Sequence, residues 1–133
     1  MRRVVYVHVV LAVLAVSIAA AWLVRRMHRY DRLILKVAAE QRVDPRLVAA
    51  VVWQESRFRP DRVGGSGEIG LMQVTETAAR EWAAAAGVSN FTAQALFNPR
   101  TNLMAGTWYL NRAIGRWSER DDPLPYALAE YNA

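Results

Sequence analysis

Residues 44–58, DPRLVAAVVWQESRF, and the loop that follows them, VGGSGEIG at 63–70, decide which fold this chain can form. Asp44-Pro45 reads as a helix start: a side-chain acceptor at the cap, then a proline whose missing N–H is not needed in the first turn. Leu47, Val48, Val51 and Val52 recur at three- and four-residue spacing, so one side of a helix running to about Phe58 is apolar. Pro60 cannot continue that helix comfortably. Four glycines in the next eight-residue stretch then exclude regular structure.

The same punctuation extends outward in both directions. Leu33, Ile34, Val37 and Ala38 form a helical stripe within 33–41. Helix is predicted again from about Leu71 to Ala86, with Gly87 as its C-terminal cap. Asn98-Pro99 opens a helix carrying Leu103, Met104, Trp108, Leu110 and Ile114, and Asp122-Pro123 opens a last one. No stretch keeps a period-2 alternation. The predicted class is all-α: a small domain of five short helices behind an N-terminal apolar segment.

That segment, Val4 to Val24, is 21 residues long and carries no formal charge. At about 1.5 Å per helical residue it spans roughly 31 Å, which matches roughly 30 Å of bilayer hydrocarbon. Residues 1–32 therefore read as an N-terminal membrane anchor with Arg-rich flanks, and 33–133 as the folded domain. Ala19-Ala20-Ala21 also fits the small-residue pattern of a cleaved signal peptide. The length of the run and the closing Arg25-Arg26 favour the anchor.

Charge divides the chain in the same place. The net charge of +5 is contained in the first 32 residues, six Arg against one Asp, whereas the remainder has eleven basic and eleven acidic residues. A neutral folded part lacks the basic face that nucleic-acid binding requires. There are no cysteines, and the two histidines, His8 and His28, precede the domain. Disulfides, thiol chemistry and a His- or Cys-based metal site are thereby excluded from the folded part.

Glu55 is the residue that stands out chemically. It lies near the end of an apolar helix, where Val51, Val52 and Phe58 and the negative end of the helix dipole both disfavour a charged carboxylate. A raised pKa suits a general acid working near neutral pH. Arg57 and Arg59 would oppose it if they folded back. The plain alternative is a solvated glutamate at a helix end. The glycine loop likewise reads either as a simple turn or as backbone that a ligand approaches closely. With no Gly-Lys-Ser/Thr ending it is not a phosphate loop.

Taken together, Gln54-Glu55-Ser56, Gly67-Glu68-Ile69-Gly70-Leu71-Met72-Gln73, Asn98-Pro99 with Asn102-Leu103, Gly106 with Tyr109-Leu110, and Ala129-Glu130-Tyr131-Asn132-Ala133 resemble, in order and spacing, the lytic transglycosylase catalytic domain of the soluble type. The resemblance covers about Val37 to Ala133 and implies a goose-type-lysozyme-like helical fold. It implies cleavage of peptidoglycan glycan strands between N-acetylmuramic acid and N-acetylglucosamine, with 1,6-anhydro-muramoyl ends and no metal or cofactor. Glu55 matches the family's single catalytic acid, Met72 and Gln73 its groove-lining residues, and Tyr131-Asn132 the pair that packs near that acid. The substrate implies a domain outside the bacterial inner membrane, in the periplasm, on a single-pass anchor. The Arg count, four at 25–32 against two at 2–3, points the other way.

Three positions depart from the family pattern. Gly64 stands where a serine is frequent, leaving Ser66 as a possible substitute hydroxyl for the substrate. Glu68 stands where a small residue is usual. The chain stops inside the Tyr-Asn-Ala-Gly motif, so the expectation is a domain truncated at its C-terminus. Two further classes stay open at this level. A lysozyme-type hydrolase would draw its second carboxylate from Glu68 or Asp61, and an inactive glycan-binding or scaffold module would keep the groove without turnover.

Overall fold

The computed structural model describes residues 2–133; Met1 of the N-terminal flank lies outside the described residues. The chain divides into two units, one up to Asp31 and one from Arg32 onward. The first is a single long helix, α1 (Arg2–His28). Its run of valines, leucines and alanines has no polar face, and its large side chains from Val4 to Val24 are exposed. One window of this segment reaches a mean hydropathy of 2.5, long and apolar enough to cross a membrane.

The second unit holds five α-helices: α2 (Asp31–Gln41), α3 (Pro45–Ser56), α4 (Glu76–Ala85), α5 (Pro99–Arg116) and α6 (Leu124–Tyr131). A short 3₁₀ turn, Ala93–Phe97, precedes α5. Local chemistry sets most of the boundaries. The Asp44 carboxylate accepts from the Arg46 N–H at 2.8 Å and opens α3. Its pKa is lowered, first by that backbone bond and then by the Arg46 guanidinium. Asn98 does the same for α5, accepting from Arg100 and Thr101 at 3.0 and 3.2 Å. At the end of α4, Gly87 adopts φ +68° and lets the Val88 N–H reach the Ala83 carbonyl at 2.8 Å. That bond closes the helix as a left-handed glycine cap should.

α5 is the axis of the unit, packed against α4, α6 and the 3₁₀ turn. α2 is tied to it by Arg100–Glu40 at 3.1 Å and by Asn111 donating to the Gln41 carbonyl at 3.1 Å. Val37, Val48, Val52, Leu71, Leu96, Leu103 and Leu110 are fully buried and make the centre of the core.

Two local expectations change. Helix does not begin at Leu71. Residues 71–74 turn, and Val74 and Ile69 exchange backbone hydrogen bonds at 3.0 Å, so α4 starts only after Thr75, whose hydroxyl caps Ala78 N–H. α3 ends at Ser56 rather than near Phe58, because Arg57 and Phe58 both take left-handed φ values of 53° and 59°.

Candidate active site

Glu55 occupies the last turn of α3, half-buried. Its pKa is raised, first by burial, which penalises the charged form, and to a smaller extent by the Glu68 carboxylate. The cation that opposes this is Arg62, not Arg57 or Arg59. The Arg57 guanidinium lies over the Trp53 ring, 4.4 Å from its centroid, and Arg59 Nε turns to the Ser56 carbonyl at 3.4 Å. Arg62 also donates to the Glu55 backbone carbonyl, satisfying an acceptor that the helix end leaves open.

Glu55 opens on a cavity of about 220 Å³ with apolar walls from Leu47, Ala50, Val51 and Leu128 and polar groups from Gln54, Tyr131 and Asn132. A second cavity, about 200 Å³, is lined by Gln73, Thr75, Tyr109, Glu130 and Tyr131 among others. Tyr131 lines both. Its hydroxyl donates to the Met72 carbonyl at 2.9 Å, and its ring meets Tyr109 edge-on at 6.1 Å. Burial, and then the charge of Glu55, push the Tyr131 pKa far up, so the phenol is a neutral donor at any working pH.

Of the residues singled out from the sequence, Glu55, Gln73, Tyr131 and Asn132 line these two cavities. Gln73 is held at φ 48° with its amide Nε2 donating to the Gly70 and Arg62 carbonyls at 2.9 and 3.2 Å. Two residues are placed differently from expectation. Met72 is fully buried, with Sδ 3.6 Å from the Thr107 hydroxyl, and underlies the site instead of lining a groove. Ser66 is exposed on the glycine loop, lines neither cavity, and offers its backbone N–H to Glu68 Oε2 at 3.1 Å.

Two supporting residues had no role assigned from the sequence. Asn102 is fully buried; its amide donates to the Ile69 and Leu96 carbonyls at 2.7 and 3.0 Å and accepts from the Met72 N–H at 2.8 Å. Ser56, also buried, donates to the Leu71 carbonyl at 2.8 Å. Together they fix the loop carrying Met72 and Gln73 against α3 and α5. The signal for Asn102 was its position: a polar residue on the same face of α5 as the buried Ala105, Gly106 and Ala113.

This arrangement is set within recognisable company. Residues 32–133 match the Transglycosylase SLT domain. The chain is 36% identical over 110 residues to membrane-bound lytic murein transglycosylase F of Desulfosudis oleivorans, covering 80% of this chain and 22% of that one. It is 38% identical over 89 residues to membrane-bound lytic murein transglycosylase C of Yersinia enterocolitica, covering 65% and 25%. The chain thus spans about a quarter of the length of the curated relatives it matches. Among solved structures, an inactive mutant of the lytic transglycosylase Slt from Pseudomonas aeruginosa superposes with a TM-score of 0.68 at 26% identity, over 77% of this chain and 16% of that one. The 70 kDa soluble lytic transglycosylase of Escherichia coli shares the fold, with a TM-score of 0.69 at 24% identity over 78% and 16%. By its sequence match over residues 32–133, this chain belongs to the transglycosylase SLT domain family.

Proposed function

We propose that the folded unit cleaves peptidoglycan glycan strands between N-acetylmuramic acid and N-acetylglucosamine as a lytic transglycosylase, with Glu55 handling both proton transfers. The protonated carboxyl gives its proton to the glycosidic oxygen as the bond from the muramoyl C1 breaks. The muramoyl C6 hydroxyl oxygen then bonds to C1, closing a 1,6-anhydro ring, and its proton returns to the Glu55 carboxylate. No water enters, so one carboxylate suffices where ordinary glycosidases use two. The observation that carries this reading is a single half-buried glutamate, raised in pKa, facing a cavity it shares with Tyr131 and Asn132. Gln73, Tyr131 and Asn132 are assigned to the saccharide, Ser66 to the exposed rim, and Met72 to the underlying support.

A hydrolase would need a second carboxylate to activate water. Asp61 is exposed, and Glu68 lies outside the cavity at Glu55 with one oxygen engaged by Ser66 N–H. Those placements favour the anhydro route. The Desulfosudis and Yersinia relatives, both named lytic murein transglycosylases, agree with it.

The test is mass spectrometry of purified sacculi digested by the full chain in detergent. Anhydro-muropeptides are expected, and Glu55→Gln should abolish them; in the Pseudomonas relative, too, the inactive form carries a Glu→Gln change. Reducing ends alone would establish a hydrolase, and binding without solubilisation a glycan-binding module. We further infer that α1 anchors the chain in the inner membrane with the folded unit on the periplasmic side, where the glycan is.

A further inference from the structure

Where α5 gives way to α6, an aromatic pair stands partly exposed at the surface. The Trp117 and Tyr126 rings stack with centroids 5.1 Å apart and planes inclined by 26°. The Arg120 guanidinium lies 5.0 Å from the Tyr126 ring and 5.7 Å from that of Trp117. Three nearly equal separations put the guanidinium beside the pair; stacked beyond one ring, it would be much farther from the other. Tyr126 stays 44% exposed. It borders a hollow of about 400 Å³ that is lined also by Arg120, Asp121, Asp122 and Pro125.

This ledge is joined to the candidate site. Trp117 Nε1 donates to Glu130 Oε2 at 2.8 Å. Glu130 lines the second cavity with Tyr131, and Tyr131 also lines the cavity at Glu55. Tyr126 and Glu130 are four residues apart on α6, so they share a face of the helix, about 6 Å apart along its axis. A polymer that leaves the second cavity along this face, toward the start of α6, meets Tyr126 next.

We propose that the Trp117–Tyr126 ledge, with Arg120 beside it, is an outlying binding surface for sugar rings of the glycan strand, beyond the second cavity; the identity of the strand rests on the function proposed above. The chemistry fits a sugar. A pyranose presents C–H bonds on its face and hydroxyl and acetamido groups around its rim. An aromatic ring takes the face, while the guanidinium donates and the two aspartates accept at the rim. One cation against two carboxylates gives the hollow no strong charge of a single sign with which to select a charged peptide. The ledge takes no part in proton transfer. It makes affinity depend on strand length.

The test titrates peptide-free glycan strands from sacculi, a hexasaccharide and a disaccharide, into the full-length Glu55→Gln chain in detergent micelles. Affinity is read by calorimetry and the Trp117 indole N–H by nitrogen-15 NMR. The hexasaccharide should bind more tightly than the disaccharide and shift the Trp117 signal. Tyr126→Ala in the same background should weaken the hexasaccharide by roughly 3–10-fold, the effect of one aromatic contact, and leave the disaccharide unchanged. Tyr126→Phe keeps the ring and should bind both as the parent does. A Trp117 signal unmoved by the hexasaccharide would overturn the proposal. So would a Tyr126→Ala variant that binds the hexasaccharide normally, or one that loses both strands alike, as a merely structural role would require. The Trp117 signal is read on an intact ledge, so a Tyr126→Ala variant that failed to fold would leave that arm in force. Binding is read without turnover, so absence of anhydro-muropeptides from sacculi would sink the enzymatic reading alone.

Discussion

Glu55 is held in surroundings that oppose its own ionisation, and this has a consequence for stability as well as for the catalysis proposed above. Its folded-state pKa lies above the unfolded value of 4.5, so the fold favours the protonated form. Below that pH the group is protonated in both states and its contribution is fully present. As pH rises through the folded pKa the contribution is lost, since the folded state must then hold a charge that water would hold better. Glu55→Gln removes this dependence. The melting temperature of the variant should fall less steeply with pH across that window than that of the wild type, while sacculus solubilisation drops by roughly 10²–10⁴-fold, the usual share of a positioned acid–base group. Thermal melts at a series of pH values, with activity measured on the same preparations, check both. Asn102 is the opposite kind of residue, with no ionisable group yet central to the loop. Asn102→Ala strands the Met72 N–H and the Ile69 and Leu96 carbonyls. At roughly 1–3 kcal/mol for each buried group left unpaired, the loss should be about 3 kcal/mol or more. Denaturant titration would show it as a lower midpoint with unchanged slope.

At the scale of elements, the site is an agreement between α3, α5, α6 and the loop between α3 and α4. Gly106 is where three of them converge. A Cβ there would lie 2.6 Å from Met72 Sδ, 2.8 Å from Met72 Cβ and 3.1 Å from the Tyr131 hydroxyl. Gly106→Ala should cost about 1–3 kcal/mol by overpacking. It should also weaken the Tyr131–Met72 bond, so activity should fall more than a melting shift of that size explains at a temperature where the variant stays folded. Equal rates for folded variant and wild type would show that α6 tolerates the shift. α6 is held from its other side as well, because Glu130 accepts from Trp117 Nε1 at 2.8 Å and pairs with Arg116. Helix positions were readable from caps such as Asp44-Pro45 and Asn98-Pro99, since a cap acts within three residues of itself. The turn at 71–74 was not readable. Its apolar residues suit a helix, but the backbone groups of Leu71 and Met72 are taken by partners remote in sequence.

For the whole molecule, the Arg-rich flank after the apolar helix and the proposed peptidoglycan substrate make opposite demands on topology. Six Arg in the first 32 residues, four of them after the run, argue for a domain kept inside. The proposed chemistry requires it outside. A reporter active only in the periplasm, fused after Ala133, should be active. An inactive fusion, with a cytoplasmic reporter active at the same point, would show that the charge bias governs insertion and that the peptidoglycan reading is wrong.

The amino-acid sequence by itself determined the all-α class, the apolar N-terminal helix, the caps of α3 and α5, the glycine end of α4, and the position of Glu55 in the last turn of an apolar helix. Each of these is written in residues a few positions apart, because a cap, a stripe or a hydropathy window involves only near neighbours. Tertiary structure alone decided which arginine faces Glu55, that Met72 is buried, and that Glu68 fills the space over Gly64. The loop itself is held by Ser56, 15 residues from Leu71, and by Asn102 and Tyr131, 30 and 59 residues from Met72. Such bonds leave no periodic trace in the chain: a buried carbonyl takes whichever donor the packing of the helices brings within reach.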